Sequence, residues 1–79
     1  MWYVYVLISE MDGRRYIGCS GDLQRRMREH EDGMVASTRA RRPLKLIHTE
    51  QFGSRIDAMK REKFFKTGKG REFLKLSGF

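Results

Sequence analysis

The run Trp2-Tyr3-Val4-Tyr5-Val6-Leu7-Ile8 constrains this chain more than any other segment. Every residue in it is β-branched, aromatic or aliphatic, with Trp2, Val4, Val6 and Ile8 on one face of an extended strand and Tyr3, Tyr5 and Leu7 on the other. A strand that is apolar on both faces needs cover on both, so it belongs in the middle of a sheet. Asp12-Gly13 signals a turn, and residues 14–19 give a second short strand, so residues 2–19 read as a β-hairpin. A loop of residues 10–13 places Tyr5 opposite Gly18 and diagonal to Tyr16, and a two-residue Asp-Gly turn keeps the same parity. Both tyrosines then project from one face, beside a glycine expected to leave room for a ligand.

Beyond the hairpin, Ser20 is a candidate N-cap and Asp22 a favourable first-turn acid. Leu23, Met27 and His30 follow at helical spacing, which predicts a helix over residues 22–32 closed by Gly33. Arg26 lies three residues from Leu23 and four before His30, so it borders the buried stripe. Residues 34–43 are basic and without period, and read as a loop. Residues 44–52 suit a third strand after Pro43, and Ser54 then caps a helix over residues 55–66 in which Ala58, Glu62 and Phe65 share a face. Gly68-Lys69-Gly70 reads as a break before a last short helix over residues 71–76. The chain has 79 residues, enough for one domain at most, because a second core would bury too little apolar area. The expectation is a single α/β domain over residues 1–79: a central three-stranded, largely antiparallel sheet flanked by helices.

Several function classes drop out on composition. The longest apolar run is far shorter than the ~20 residues of a membrane span. The single Cys19 and the two histidines offer neither an intrachain disulfide nor a zinc spacing. A reducing, cytoplasmic setting without membrane contact is expected. There is no Gly-rich phosphate loop. The net charge of +7 is unevenly placed, for residues 1–40 hold six basic and six acidic side chains and residues 41–79 hold eleven and four. A one-sided excess of that kind points to a polyanionic partner.

The chemistry-bearing residues form an ordered set. Tyr3-Val4-Tyr5, ten intervening residues and Tyr16-Ile17-Gly18 are followed by Arg26 and His30 on one helix and Glu62 on a later one. In this the chain resembles the GIY-YIG nuclease superfamily, in particular its small stand-alone bacterial members, over nearly its whole length. The second triplet is an unaltered Tyr-Ile-Gly, while the first agrees strictly only at Tyr5. The chain also lacks the asparagine that many relatives carry near the C-terminus, and Cys19 stands where some have a lysine, with Arg15, Arg25 and Lys66 as nearby cations.

The resemblance implies a metal-dependent phosphodiesterase acting on DNA, with Glu62 holding one Mg²⁺ or Mn²⁺ ion, Tyr5 or Tyr16 helping to activate the attacking water, and Arg26 stabilising the pentacovalent phosphate. The residue types suit those tasks. A hard cation takes oxygen ligands and keeps several waters, so one carboxylate plus substrate phosphate can suffice. A guanidinium fork matches two phosphate oxygens. A tyrosine serves as a base only where a cation lowers its ordinary value of about 10.

Each residue also has a plainer reading. Tyrosines favour strands, Arg26 suits a wet helix face, and Glu62 can pair with Lys66 one turn on. His30 suits either a helix C-terminus or the positioning of phosphate or water. Cys19 reads as a small buried filler, and His48 has no evident partner. The basic residues Arg39, Arg41, Arg42, Lys63, Lys66 and Lys69 read as a backbone-contacting footprint that carries no sequence information. With no recognition helix or zinc finger in view, the expected DNA is branched, damaged or unspecific duplex, in repair or recombination. The rival expectation is a non-catalytic nucleic-acid-binding module on the same fold, and a small basic RNA-associated protein is a third.

Overall fold

A computed structural model describes residues 1–79. β1 (Trp2–Ser9), β2 (Arg15–Ser20) and β3 (Leu44–Phe52) form one antiparallel sheet in the order β2-β1-β3. The strand with apolar residues on both faces is therefore the central one, as its pattern requires. Four helices complete the chain: α1 (Leu23–Glu31), α2 (Ala36–Arg39), α3 (Arg55–Phe65) and α4 (Gly68–Leu76). None is long and apolar enough to cross a membrane.

Alternation along β1 divides the interior. Val4 and Val6 join Ile17, Ala58, Phe65 and Leu74 in the main core beneath α3 and α4. Tyr5 projects from the opposite face and meets His30 of α1. The hairpin register is the expected one, with Tyr5 opposite Gly18 and Leu7 opposite Tyr16. Ser9 N–H donates to the Arg14 carbonyl at 2.9 Å, which closes a loop of residues 10–13. Gly13, at φ 72°, supplies the left-handed residue that the loop needs. The buried Ser9 hydroxyl also accepts from the Met11 and Asp12 amides and donates to the Arg41 carbonyl at 2.6 Å. Across β3 the register shifts between Val6 and Leu7, and the bulge turns Ile47 toward the main core.

Three local expectations differ from what forms. Asp22, not Ser20, is the N-cap of α1, because it immediately precedes the first helical residue and its carboxylate accepts from the Arg25 amide at 3.1 Å. The Ser20 hydroxyl instead holds the Asp22 backbone. The stretch read as a loop contains α2, whose single turn is too short to carry a period. The Gly68-Lys69-Gly70 break is the first turn of α4, capped by Thr67. Gly70 is there for packing: a Cβ on it would overlap the Phe64 carbonyl oxygen at the end of α3.

His48 does have partners. Its Nε2 is 2.8 Å from Glu50, whose carboxylate also accepts from Arg61 at 2.8 and 3.2 Å. The Arg61 guanidinium lies over the rings of Phe64, Phe65 and Phe73, tying β3 to α3 and α4. Burial works against ionisation of Glu50, but the Arg61 and His48 contacts hold its carboxyl below the usual range.

The two glycines of α4 give a paired test. Gly68 has open space around its Cβ position, so Gly68→Ala should leave the melting temperature unchanged or raise it, as alanine is the better helix former. Gly70→Ala forces α3 and α4 apart and should cost about 1–3 kcal/mol, measured by urea unfolding.

Candidate active site

Tyr5 is only 1% exposed, so its hydroxyl must be satisfied from inside the protein. It lies 2.9 Å from His30 Nε2 and 3.4 Å from Arg26 Nε. An arginine only donates, so the Tyr5 oxygen accepts from Arg26 and its O–H donates to His30. His30 is then an acceptor at Nε2, which assigns its proton to Nδ1, the atom 2.7 Å from Thr38 Oγ1. The result is a continuous chain, Thr38–His30–Tyr5–Arg26, extended by an Arg26 to Glu29 ion pair at 3.1 Å. Arg25 reaches the same carboxylate at 3.5 Å, and the Arg26 bond leads in holding Glu29 below the ordinary carboxylate range.

The electrostatics agree with that assignment. Burial, helped by the Arg26 charge, pushes the His30 pKa down and keeps the ring neutral near pH 7. Burial raises that of Tyr5, more than the Arg26 hydrogen bond lowers it, with Tyr16 and Glu62 adding to the rise. Tyr5 is thus a phenol in the free protein. Arg26 is pushed higher still, chiefly through its bond to Tyr5, and remains a cation at any working pH. Gly18 does not leave space for a ligand, as the sequence pattern suggests. A Cβ at this position would overlap the Tyr5 ring, so the glycine makes room for Tyr5 itself.

Of the Tyr5–Tyr16 pair, it is Tyr16 that lines a cleft. It is half-buried, with its ring centre 6.3 Å from that of Tyr5 and 5.2 Å from that of His30. It lines a small cleft with Arg15, Phe65, Lys66 and Arg71. The β2 edge thereby brings α1 and α3 to one place. Arg26, on the other side, faces a cleft that it shares with Trp2, Cys19, Asp22 and Glu29. Glu62 stands on α3 with its side chain 23% exposed, and Lys66 Nζ is 2.8 Å from its carboxylate. Its charge reaches both Tyr5 and the half-buried Cys19, whose thiol is raised mainly by burial and further by Glu62.

No group of three or more His, Cys, Asp or Glu side chains is gathered anywhere to hold a metal. Asp22 and Glu29 line the Arg26 cleft, but Asp22 caps α1 and Glu29 is engaged by Arg25 and Arg26, which leaves Glu62 as the candidate hard oxygen donor. That donor set fits a Mg²⁺-like ion completed by water and substrate phosphate, and not an ion held by protein alone.

The basic residues divide by circumstance. Arg39, Lys63 and Lys69 are exposed. Lys66 is paired with Glu62, and Arg41 Nε is 3.4 Å from Asp12. Arg42 donates to the carbonyls of Glu31 and Arg39 at 3.0 and 3.1 Å, satisfying the C-terminal ends of α1 and α2. Sequence reasoning passed over Thr38 and Glu29. Glu29 was visible as an i,i+3 partner of Arg26, but nothing in the sequence marks Thr38.

The His30 assignment has a pH signature. With the folded value below the unfolded value of about 6.5, the unfolded chain binds more protons between the two. The stability from neutral His30 is present above about pH 6.5 and is lost as pH falls through the folded value. Urea midpoints of the wild type should therefore fall between pH 7 and 5, and those of His30→Gln should fall less.

Comparison with known proteins bears on the family. The GIY-YIG catalytic domain family matches residues 1–75. A UPF0213 protein of Streptococcus agalactiae serotype V is 45% identical over 65 residues, covering 81% of this chain and 73% of that one. A UPF0213 protein of Halobacterium salinarum is 49% identical over 63 residues, covering 78% and 80%. The solution NMR structure of a UPF0213 protein from Bacillus halodurans superposes with a TM-score of 0.58 at 36% identity, covering 94% of this chain and 82% of that one. With the family matched over residues 1–75 and Tyr5 bonded to both His30 and Arg26, the chain belongs to the GIY-YIG catalytic domain family.

Proposed function

We propose that this domain is a divalent-metal-dependent endonuclease that hydrolyses phosphodiester bonds in DNA. The observation that carries the reading is the Thr38–His30–Tyr5–Arg26 chain, a buried network that fixes one arginine at the mouth of a cleft. Arg26 spends two of its five N–H groups on Tyr5 and Glu29, so three remain for phosphate oxygens. Held this way, it is ready for the charge that develops on phosphorus and loses little freedom when substrate binds.

The roles follow from exposure. Tyr16 borders open cleft, which supports assigning it to accept a hydrogen bond from the attacking water. Tyr5 is a positioning residue, since its oxygen is enclosed by Arg26 and His30. His30, neutral and bound to Thr38, keeps the Tyr5 proton directed away from Arg26. Glu62 is the candidate metal ligand, and Lys66 holds that carboxylate in the free protein. A bound Mg²⁺ or Mn²⁺ ion would supply Lewis-acid stabilisation of the phosphate. Exposed Arg39, Lys63 and Lys69 supply backbone contacts that do not read sequence, which suits branched, damaged or unspecific duplex and a task in repair or recombination.

One observation favours a binding module without chemistry: Glu62 is closed onto Lys66, 2.8 Å away. A cleavage assay separates the two readings. Supercoiled plasmid with Mg²⁺ should be nicked by the wild type, and EDTA or Glu62→Gln should abolish nicking while DNA retention persists. Arg26→Ala should lower turnover by about 10²–10³ and change affinity only a few-fold. Wild-type nicking rates in Glu62→Gln would sink the assigned mechanism. Retention with no nicking by the wild type would select the module.

A further inference from the structure

Four arginines from three separate segments converge on one cleft outside the Tyr5–His30 network. Arg14 and Arg15 come from the β1–β2 hairpin, Arg41 from the α2–β3 connection and Arg71 from α4, and Gly13 is the fifth lining residue. The cleft measures about 580 Å³ and has no apolar lining residue. The arginines are also short of counter-ions. Asp12 lies 3.4 Å from Arg41 Nε, whereas no carboxylate comes within ion-pair distance of Arg14, Arg15 or Arg71. Gathering unpaired like charges raises the free energy of the folded chain, and an anion in their midst reverses that cost.

The cleft is held in shape. Arg41 Nε lies 3.4 Å from Asp12 but is buried without a hydrogen bond, Arg41 donates to the Arg15 carbonyl at 3.5 Å, and the Arg41 carbonyl takes the buried Ser9 hydroxyl. The Glu10 amide binds the Pro43 carbonyl at 2.9 Å, a second tie between the same two segments. The backbone around the cleft is tied while the Arg14, Arg15 and Arg71 guanidinium groups stay free of partners, and such groups suit the tetrahedral oxygens of phosphate. Arg15 and Arg71 also line the cleft that holds Tyr16 and Lys66, so the two depressions share a wall.

We propose that the Arg14–Arg15–Arg41–Arg71 cleft is a phosphate subsite that grips the nucleic-acid strand beside the bond to be cut. The proposal rests on the endonuclease reading for its ligand, and on the arginine geometry alone for its existence. A phosphate here comes either from an internal phosphodiester or from a strand's 5′-terminal phosphate.

The test uses the double variant Arg14→Gln/Arg71→Gln, whose guanidinium groups make no hydrogen bond in the fold, with Lys45→Gln/Lys75→Gln as a charge-matched control. Binding to a short fluorescent duplex is followed by anisotropy in EDTA, across a salt series. The arginine pair should weaken binding about tenfold at 0.1 M salt and reduce the slope of log K against log salt by about 2, at ~0.9 per phosphate, and the lysine pair should do less than half of that. Equal losses in the two variants would overturn the subsite in favour of diffuse charge. Duplexes with and without a 5′-phosphate distinguish the sources. A gain from the 5′-phosphate that the arginine variant loses assigns the cleft to strand ends, and a uniform loss assigns it to internal phosphates. Should the wild type bind neither duplex, the endonuclease reading fails. The subsite is then judged by titrating inorganic phosphate against the arginine Nε–H signals, where saturable shifts at Arg14, Arg15 and Arg71 support it and their absence overturns it.

Discussion

A phenol at the centre of a three-stranded sheet has no access to water, and much of this structure is arranged around satisfying it. Leaving the Tyr5 hydroxyl unpaired would cost about 1–3 kcal/mol, a large share of the stability of a domain this size. The solution draws on every nearby element. Gly18 gives up its side chain to admit the ring, α1 brings His30 and Arg26 to the oxygen, and α2 brings Thr38 to the far side of the imidazole. Because each member has its partner, the network rigidifies what it touches. Arg26 inherits that rigidity at the surface, and this is how burial in the sheet becomes order in the cleft.

The features legible in the sequence were those written in local periodicity. A strand apolar on both faces had to be central, and the turn at Gly13 fixed which residues face Tyr5. The helical spacing of Leu23, Met27 and His30 placed Arg26 beside the buried stripe, and the same logic set Glu62 next to Ala58 and Phe65. What stayed hidden depends on the third dimension. Gly70 reads as a helix breaker until the end of α3 is seen against it. Gly18 reads as a vacancy until the Tyr5 ring is seen filling it. Thr38 sits in a single helical turn, too short for any period, and His48 bonds Glu50 within β3 and meets the Phe65 ring of α3 edge-on.

The charge distribution shows the same division. The second half of the chain carries the whole excess, yet its cations serve different ends. Arg42 closes two helices, Arg61 bridges β3 to a stack of phenylalanines, and Lys66 occupies Glu62. Arg41 and Arg71 meet Arg14 and Arg15 from the electrically balanced half. A net charge counts these residues as equivalent, while the fold makes some of them mortar and leaves others free to meet an anion.

The Ser9 hydroxyl, buried and shared among Met11, Asp12 and Arg41, alters what kind of object the hairpin tip is. Such tips are ordinarily where chains accept extra residues with little penalty. Here the tip is bolted to the segment that follows α2, and α2 carries the hydroxyl that orients His30. A change in loop length between Glu10 and Gly13 would be transmitted through Arg41 and one helical turn to the imidazole. The loop keeps its side chains in solvent while its backbone is tied through Ser9 to the segment that carries Arg41, so its length, more than its composition, is what the interior feels.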